Sequence, residues 1–282
     1  MVYRGQVLIV GRLAFVLLLL MMSLGIVAAQ KAAVSEETSH FANFEGSRVH
    51  YKSFGKGREA LVLIHGWTGN IDLWREEIAG LRQRARVIAI DLPGHGQSDK
   101  GVRPYTQDLF ARAVDAVLKD AAVERAVLVG HSMGTPISRQ FYRLYPQKTL
   151  AIVIVDGALR SFGKETWDRF ITPLRTPGYK EAGTQMLVGM LGPQVSPEVT
   201  DRVKSSFLNT PQQVIVSAME GMADDSIWGS DKINVPVLAI LAKSPFWPAN
   251  VEELYRSLAP QTGVSDVGRR GPLSHDGEAK RI

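Results

Sequence analysis

The chain has 282 residues, 45% of them apolar, and no cysteine. That size and apolar share fit one large α/β domain or two small ones rather than a disordered chain, and the missing thiols exclude disulfides, thiolate metal sites and a lipidated cysteine anchor together. The 33 basic and 28 acidic residues leave a formal net charge of +5, scattered without a basic stripe or aromatic interleaving, which argues against a nucleic-acid partner and for a solvated surface.

The first 30 residues, "MVYRGQVLIVGRLAFVLLLLMMSLGIVAAQ", combine Arg4 and Arg12 with an apolar run from Leu13 to Val27 and a small-residue cleavage pattern at Val27, Ala28 and Ala29. An uncleaved membrane anchor is the alternative, but the run is shorter than the about 20 residues a span needs. Residues 1–29 are therefore expected to be a secretory signal, removed on export to a periplasmic or extracellular compartment and leaving no stable membrane anchor. Removal takes away two arginines and no acid, so +5 becomes +3. Residues 30–45 are polar and small, an expected flexible lead-in, and the fold is expected to begin near Arg48.

From there apolar runs of strand length alternate with helical patterns. The runs are "EALVLIHGW", "ARVIAIDLPGHG", "RAVLVGHSMG", "LAIVIVDGAL" and "VPVLAILAKS"; the helical patterns include "YTQDLFARAVDAVLKDA" and "GTPISRQFYRLY". Continuous Val, Ile and Leu runs mean strands buried on both faces. Alternation with helices then implies a mostly parallel sheet covered by helices on both faces, with ligands gathering beyond the carboxyl ends of the strands. Core is expected over 46–160 and 233–264. Between them, residues 161–232 lack a strand run and carry Trp167, Met186, Phe207, Met219 and Trp228 at loosely helical spacing, which reads as a helical lid or as helices that merely pack on the main domain.

The chemistry gathers at strand ends. "VLVGHSMGT" places Ser132 between Gly130 and Gly134, after a buried strand and before a helix, the pattern of a nucleophile elbow. Glycines are needed there because strand and helix pass so closely that a side chain would collide. "LVLIHGW" ends another strand, and Gly66 lets the backbone turn so that the amide of Trp67, with that of Met133, forms an oxyanion hole. His65 in the same motif reads as a loop-shaping histidine, and "DLPGHGQSD", Asp91 to Asp99, as a scaffold turn.

An HG followed by an aromatic, then DLPGHGQSD, then GHSMG, in this order and spacing, resembles the α/β-hydrolase family over roughly residues 45–258. The resemblance implies an eight-stranded sheet, a lid over the site and a Ser, acid, His triad in chain order, with no metal or cofactor. A serine at 132 rather than an aspartate argues against the haloalkane dehalogenase and epoxide hydrolase branches. In the family the acid commonly follows the strand that here reads "VLAILAKSPFWP", where Ser244 stands. Some members place it one strand earlier, which here is Asp156, although Asp-Gly is also a common turn.

Of six histidines only His275 follows that acid. Family members usually continue past the histidine into an apolar helix, whereas this chain stops with "DGEAKRI". Codons for residues 265–282, "SDVGRRGPLSHDGEAKRI", can be chosen so that reading one base later gives "LMWDGVGHFLMMEKPNEF", which resembles the family's last strand, histidine and final helix. Residues 265–282 therefore read as a frameshifted, aberrant tail that leaves one sheet edge without its partner. The family's histidine would be encoded across Pro272 and Leu273, and His275 is the fallback base.

The expected function is a serine hydrolase acting on a small, largely apolar ester or related acyl substrate. A catalytically inactive small-ligand scaffold and a C–C hydrolase or perhydrolase of the same family are the alternatives. The small-molecule substrate is the expected partner; oligomeric state is not legible.

Overall fold

A computed structural model describes residues 37–192, 195–242 and 247–267. The chain enters through a hairpin of β1 (Glu37–Phe44) and β2 (Ser47–Phe54), whose connecting residues Glu45 and Gly46 have φ of 50° and 77°. Two left-handed residues in a row make the two-residue turn whose twist matches that of paired strands. Residues 37–44 are thus part of the sheet, not a flexible lead-in. Their polar composition conceals this because β1 is an outermost strand and buries only Ala42 and Phe44.

The remaining strands are β3 (Glu59–Ile64), β4 (Val87–Ile90), β5 (Arg125–His131), β6 (Thr149–Val155), β7 (Val237–Ala242) and β8 (Thr262–Val267). They form an eight-stranded sheet in the order β1-β2-β4-β3-β5-β6-β7-β8, with β2 antiparallel to both neighbours and the rest parallel. Successive side chains go to opposite faces. Val62, Ile64, Ile88, Ile90 and Leu128 join one core with α2 (Gln107–Asp120) and α3 (Gly134–Leu144), while Leu63, Val87, Ala89 and Val129 join another with Trp74 and with Ile78 of α1 (Arg75–Leu81). Two-sided burial is why these strands read as continuous apolar runs. A third core gathers β6, β7 and α8 (Val251–Leu258).

Between β6 and β7 stand α4 (Lys164–Leu174), α5 (Tyr179–Met190), α6 (Pro197–Leu208) and α7 (Gln212–Ala223). Ser196 caps α6 by accepting from the Val199 amide, and Pro197 occupies a first-turn position where its missing N–H costs nothing. Phe207 is fully buried, and a Cβ at Gly183 of α5 would lie 2.1 Å from its ring, so α5 and α6 meet through that glycine.

β8 pairs with β7 in parallel from Val237↔Thr262 to Ala242↔Val267. The sheet edge therefore keeps its partner as far as Val267, and the rest of the tail expected to be aberrant, residues 268–282, lies outside the described residues. Ladder hydrogen bonds come from the backbone, so a polar sequence can hold the pairing at an edge. His275 and Ser244 lie outside the described residues.

Candidate active site

β3, β5 and β6 are adjacent in the sheet, so the loops at their carboxyl ends converge. Ser132 leaves β5 with φ of 50°, a left-handed conformation that an ordinary side chain adopts only under constraint. Its amide donates to Val155 O at 3.0 Å and its carbonyl accepts from the Thr135 amide at 2.9 Å, which fix the turn. A Cβ at Gly130 would lie 2.3 Å from Gly134 O, and one at Gly134 would lie 2.3 Å from Ile64 O. β3, β5 and α3 thus touch backbone to backbone, and only glycine fits at both positions.

The loop after β3 lies against this elbow: a Cβ on Gly66 would be 2.9 Å from His131 Nδ1 and 3.1 Å from Ser132 Cβ. The buried His65 shapes it. The Leu92 amide donates to His65 Nε2 at 3.1 Å, so the proton sits on Nδ1, which donates to Gly66 O at 2.8 Å. Burial pushes the pKa of His65 below that of an ordinary imidazole. From the other side Trp67 Nε1 donates to Ile215 O of α7 at 2.9 Å, and Ser206 of α6 donates to Thr68 O at 2.5 Å. No hydrogen bond joins the amide of Trp67 or of Met133 to another described residue, although both residues are buried. Met133 directly precedes α3, where the helix dipole adds positive potential.

Asp156 ends β6 with φ of 47°. Its Oδ1 accepts from the Ala242 amide at 3.1 Å and from Trp247 Nε1 at 2.8 Å. The next residue abuts the elbow, since a Cβ on Gly157 would lie 1.9 Å from Thr135 Oγ1 and 2.9 Å from Ser132 O. The charge of Asp156 is felt on both sides: burial lowers the pKa of His131 while Asp156 opposes the shift, and burial raises that of Tyr255 with Asp156 adding to it. Ser132, Asp156, Trp67 and Met133 are therefore brought to one end of the sheet. The Ser132 hydroxyl has no hydrogen-bond partner among the described residues.

Two participants escape sequence reasoning. Trp247 gives no motif and stands just before α8. Asp91 sits in a motif read as scaffold, yet its carboxylate is a hub: it accepts from the amides of Ile71 at 2.8 Å and Gln97 at 2.9 Å and from His50 Nδ1 at 2.7 Å. Its place at the carboxyl end of a buried strand, before Pro-Gly turns, is the available signal.

Residues 59–175 match the family model described as alpha/beta hydrolase fold. Among curated proteins, the acetyltransferase component of the acetoin cleaving system of Cupriavidus necator is 36% identical over 41% of this chain and 31% of its own length. A 2-hydroxy-6-oxononadienedioate/2-hydroxy-6-oxononatrienedioate hydrolase of Paraburkholderia phymatum is 39% identical over 43% of this chain and 45% of its length. A pimeloyl-[acyl-carrier protein] methyl ester esterase of Vibrio campbellii is 33% identical over the same shares. The chain thus spans less than half the length of these relatives. Two solved structures share the architecture: the enol-lactonase of Burkholderia xenovorans, with a TM-score of 0.74 and 21% identity over 81% of this chain and 91% of that one, and an esterase of Exiguobacterium antarcticum, with 0.71 and 17% over 81% and 90%. The matched segment contains Gly66, Trp67, Ser132, Met133 and Asp156, and this chain has the α/β-hydrolase fold.

Proposed function

We propose that the chain is a serine hydrolase that transfers the acyl group of a small, largely apolar ester or related substrate to water through Ser132. The observation that carries this reading is the left-handed Ser132 beside two buried amides, of Trp67 and Met133, that no described residue engages. Ser132 Oγ attacks the carbonyl carbon while its proton passes to a histidine. The carbonyl oxygen becomes an oxyanion held by the two amides, worth about 3 kcal/mol per donor. The leaving alkoxide takes the proton from the histidine, and water cleaves the acyl-serine by the same route. Asp156 orients the imidazole and stabilises its cation.

The histidine comes from outside the described residues. It is His275 as written or, on the frameshift reading, the residue encoded across Pro272 and Leu273 in the shifted frame. Resequencing the gene from the codon of Ser257 past the stop distinguishes them. Export with loss of residues 1–29 is part of the same proposal, and the intact mass of exported protein reads it directly.

The test of the function is labelling by a fluorophosphonate, which needs an activated serine. Expected is one adduct on Ser132, absent in Ser132→Ala, with hydrolysis of a p-nitrophenyl butyrate lost in the same variant. A chain that binds small ligands without labelling at Ser132 is an inactive scaffold instead. The hydrolase from Paraburkholderia phymatum favours one second reading, carbon–carbon cleavage at the same serine; a panel of esters and ring-fission diketones separates the two.

A further inference from the structure

Away from Ser132 the β1–β2 hairpin carries a second chain of serine, histidine and aspartate. Ser39 Oγ lies 2.8 Å from His50 Nε2, and His50 Nδ1 lies 2.7 Å from Asp91 Oδ2. The strands pair Ser39 with Lys52 and Phe41 with His50, so Ser39 and His50 are diagonal neighbours on one face.

One proton in this chain is fixed by its surroundings. Burial pushes the Asp91 carboxyl up, but hydrogen bonds from His50 and from the Gln97 and Ile71 amides outweigh it and hold the group below the ordinary range, hence ionised. A carboxylate only accepts, so Nδ1 of His50 carries a hydrogen; in the tautomer protonated there alone, Nε2 presents its lone pair to the Ser39 hydroxyl. The His50 main chain is pinned as well, its amide donating to Ser98 Oγ at 2.8 Å. His50 is buried and Ser39 is exposed, so the base is shielded while the hydroxyl is open to a reagent.

A cavity of about 390 Å³ has His50, Asp91, Phe54, Ile71 and Ile78 in its wall, and Ser39 is not among its lining residues. Of its other charged groups, Lys52 pairs with Glu37 and Arg75 with Asp72. Arg82 lies over the Phe54 ring, 5.5 Å from its centroid, and has no carboxylate partner among the described residues.

We propose that Ser39 is a second activated serine, with His50 as its base, that accepts acyl groups from small esters reaching it from solvent. In the step a bond forms between Ser39 Oγ and the acyl carbon, and the ester C–O bond breaks. The Ser39 proton moves to His50 Nε2 and then to the departing alkoxide, giving acyl-Ser39 and an alcohol with no change of oxidation state.

The site is read separately from Ser132 by using Ser132→Ala. Expected is fluorophosphonate labelling of that variant at Ser39, mapped by peptide mass and absent in Ser132→Ala/Ser39→Ala. An S39C variant gives a second reading without disturbing buried His50, because the natural chain has no cysteine. Its thiol should react with iodoacetamide at pH 6.5 about tenfold faster than that of S226C on the exposed turn after α7, since a neighbouring imidazole favours the thiolate. Either a Ser132→Ala chain left unlabelled at Ser39 or an S39C thiol no faster than the control overturns the proposal.

Discussion

Trp67 donates its indole N–H to Ile215 O at 2.9 Å, tying the loop that follows β3 to a helix 148 residues later. Phe207 stands 5.8 Å from the indole, ring to ring, so the same side chain also packs against α6. Trp67→Phe keeps most of the ring contact and removes the donor. One buried hydrogen bond is worth about 1 kcal/mol, so a modest loss in urea melts is expected. Because the amide of residue 67 is freed to shift, kcat should fall while KM changes little. A variant with lower stability but unchanged kcat would show that α7 does not hold the oxyanion loop.

Gly66→Ala probes the same loop from inside. A methyl group at 2.9 Å from His131 Nδ1 and 3.1 Å from Ser132 Cβ forces loop and elbow apart. The expected result is a folded protein, by far-ultraviolet dichroism and thermal melting, whose fluorophosphonate labelling is slower by about 10²-fold, the cost of losing one oxyanion donor. Labelling at the original rate would mean that the two backbones are not engaged together.

Asp156→Asn removes the charge and keeps the shape. In a chain whose histidine is in place, kcat should fall by about 10⁴-fold, the cost of losing the orienting carboxylate in a serine triad. Trp247→Phe, which takes one of the two donors to Oδ1 among the described residues, should lower kcat less and leave KM near its original value. Unchanged turnover in Asp156→Asn moves the acid's role to another carboxylate.

Stability should climb with pH on the acid side. Burial lowers the pKa of His65, His95 and His131, that of His95 to about 3, below the ordinary value near 6.5. Between folded and unfolded values the unfolded chain binds more protons, so stability rises with pH there and flattens once pH exceeds about 6.5. Each imidazole that is neutral in the fold and charged outside it adds a slope of about 1.4 kcal/mol per pH unit. The lowered Asp91 acts in the same direction below about pH 3.9, its contribution being lost as pH falls. Urea melts from pH 4 to 8 measure this, and His95→Gln should take about one proton from the slope. A flat profile from pH 4 to 6 contradicts neutral burial.

The parallel core was legible because its strands are buried on both faces: "LVLI", "VIAI" and "VLVG" fall within or beside β3, β4 and β5. Gly66, Gly130 and Gly134 were legible for a related reason, since close backbone approaches permit no other residue. β1 was not, because an edge strand needs only two inward side chains and its polar face looks like a linker. The continuation of β8 through Asp266 was hidden for the same reason, its pairing resting on backbone groups. The hydrogen bond from Trp247 to Asp156 joins residues 91 apart in sequence, and no local pattern encodes it.

Arg139 offers a test of how the inserted helices are fastened to the core. It stands on α3 behind Ser132, 1% exposed, and its guanidinium donates to Leu159 O, Asp231 O and Asp231 Oδ1, each at 3.1 Å, and to Gly229 O. Leu159 lies just beyond β6, and Gly229 and Asp231 lie on the return from α7 to β7, so one side chain closes both ends of the insertion. Burial lowers its pKa, yet a guanidinium starts so high that it stays charged. Arg139→Met fills similar volume and leaves three carbonyls without their donor, while Asp231 keeps Arg143 at its carboxylate. Breaking a fully buried charged pair costs about 3–5 kcal/mol. Asp231 is half-exposed, so about 3 kcal/mol is expected here, a fall in Tm of roughly 6–12 °C for a domain of this size. Arg139→Lys, which retains charge but not the planar fork, should fall between. If Arg139→Met melts within 2 °C or so of the unaltered chain, the insertion is held by its apolar contacts and the buried guanidinium is not its fastening.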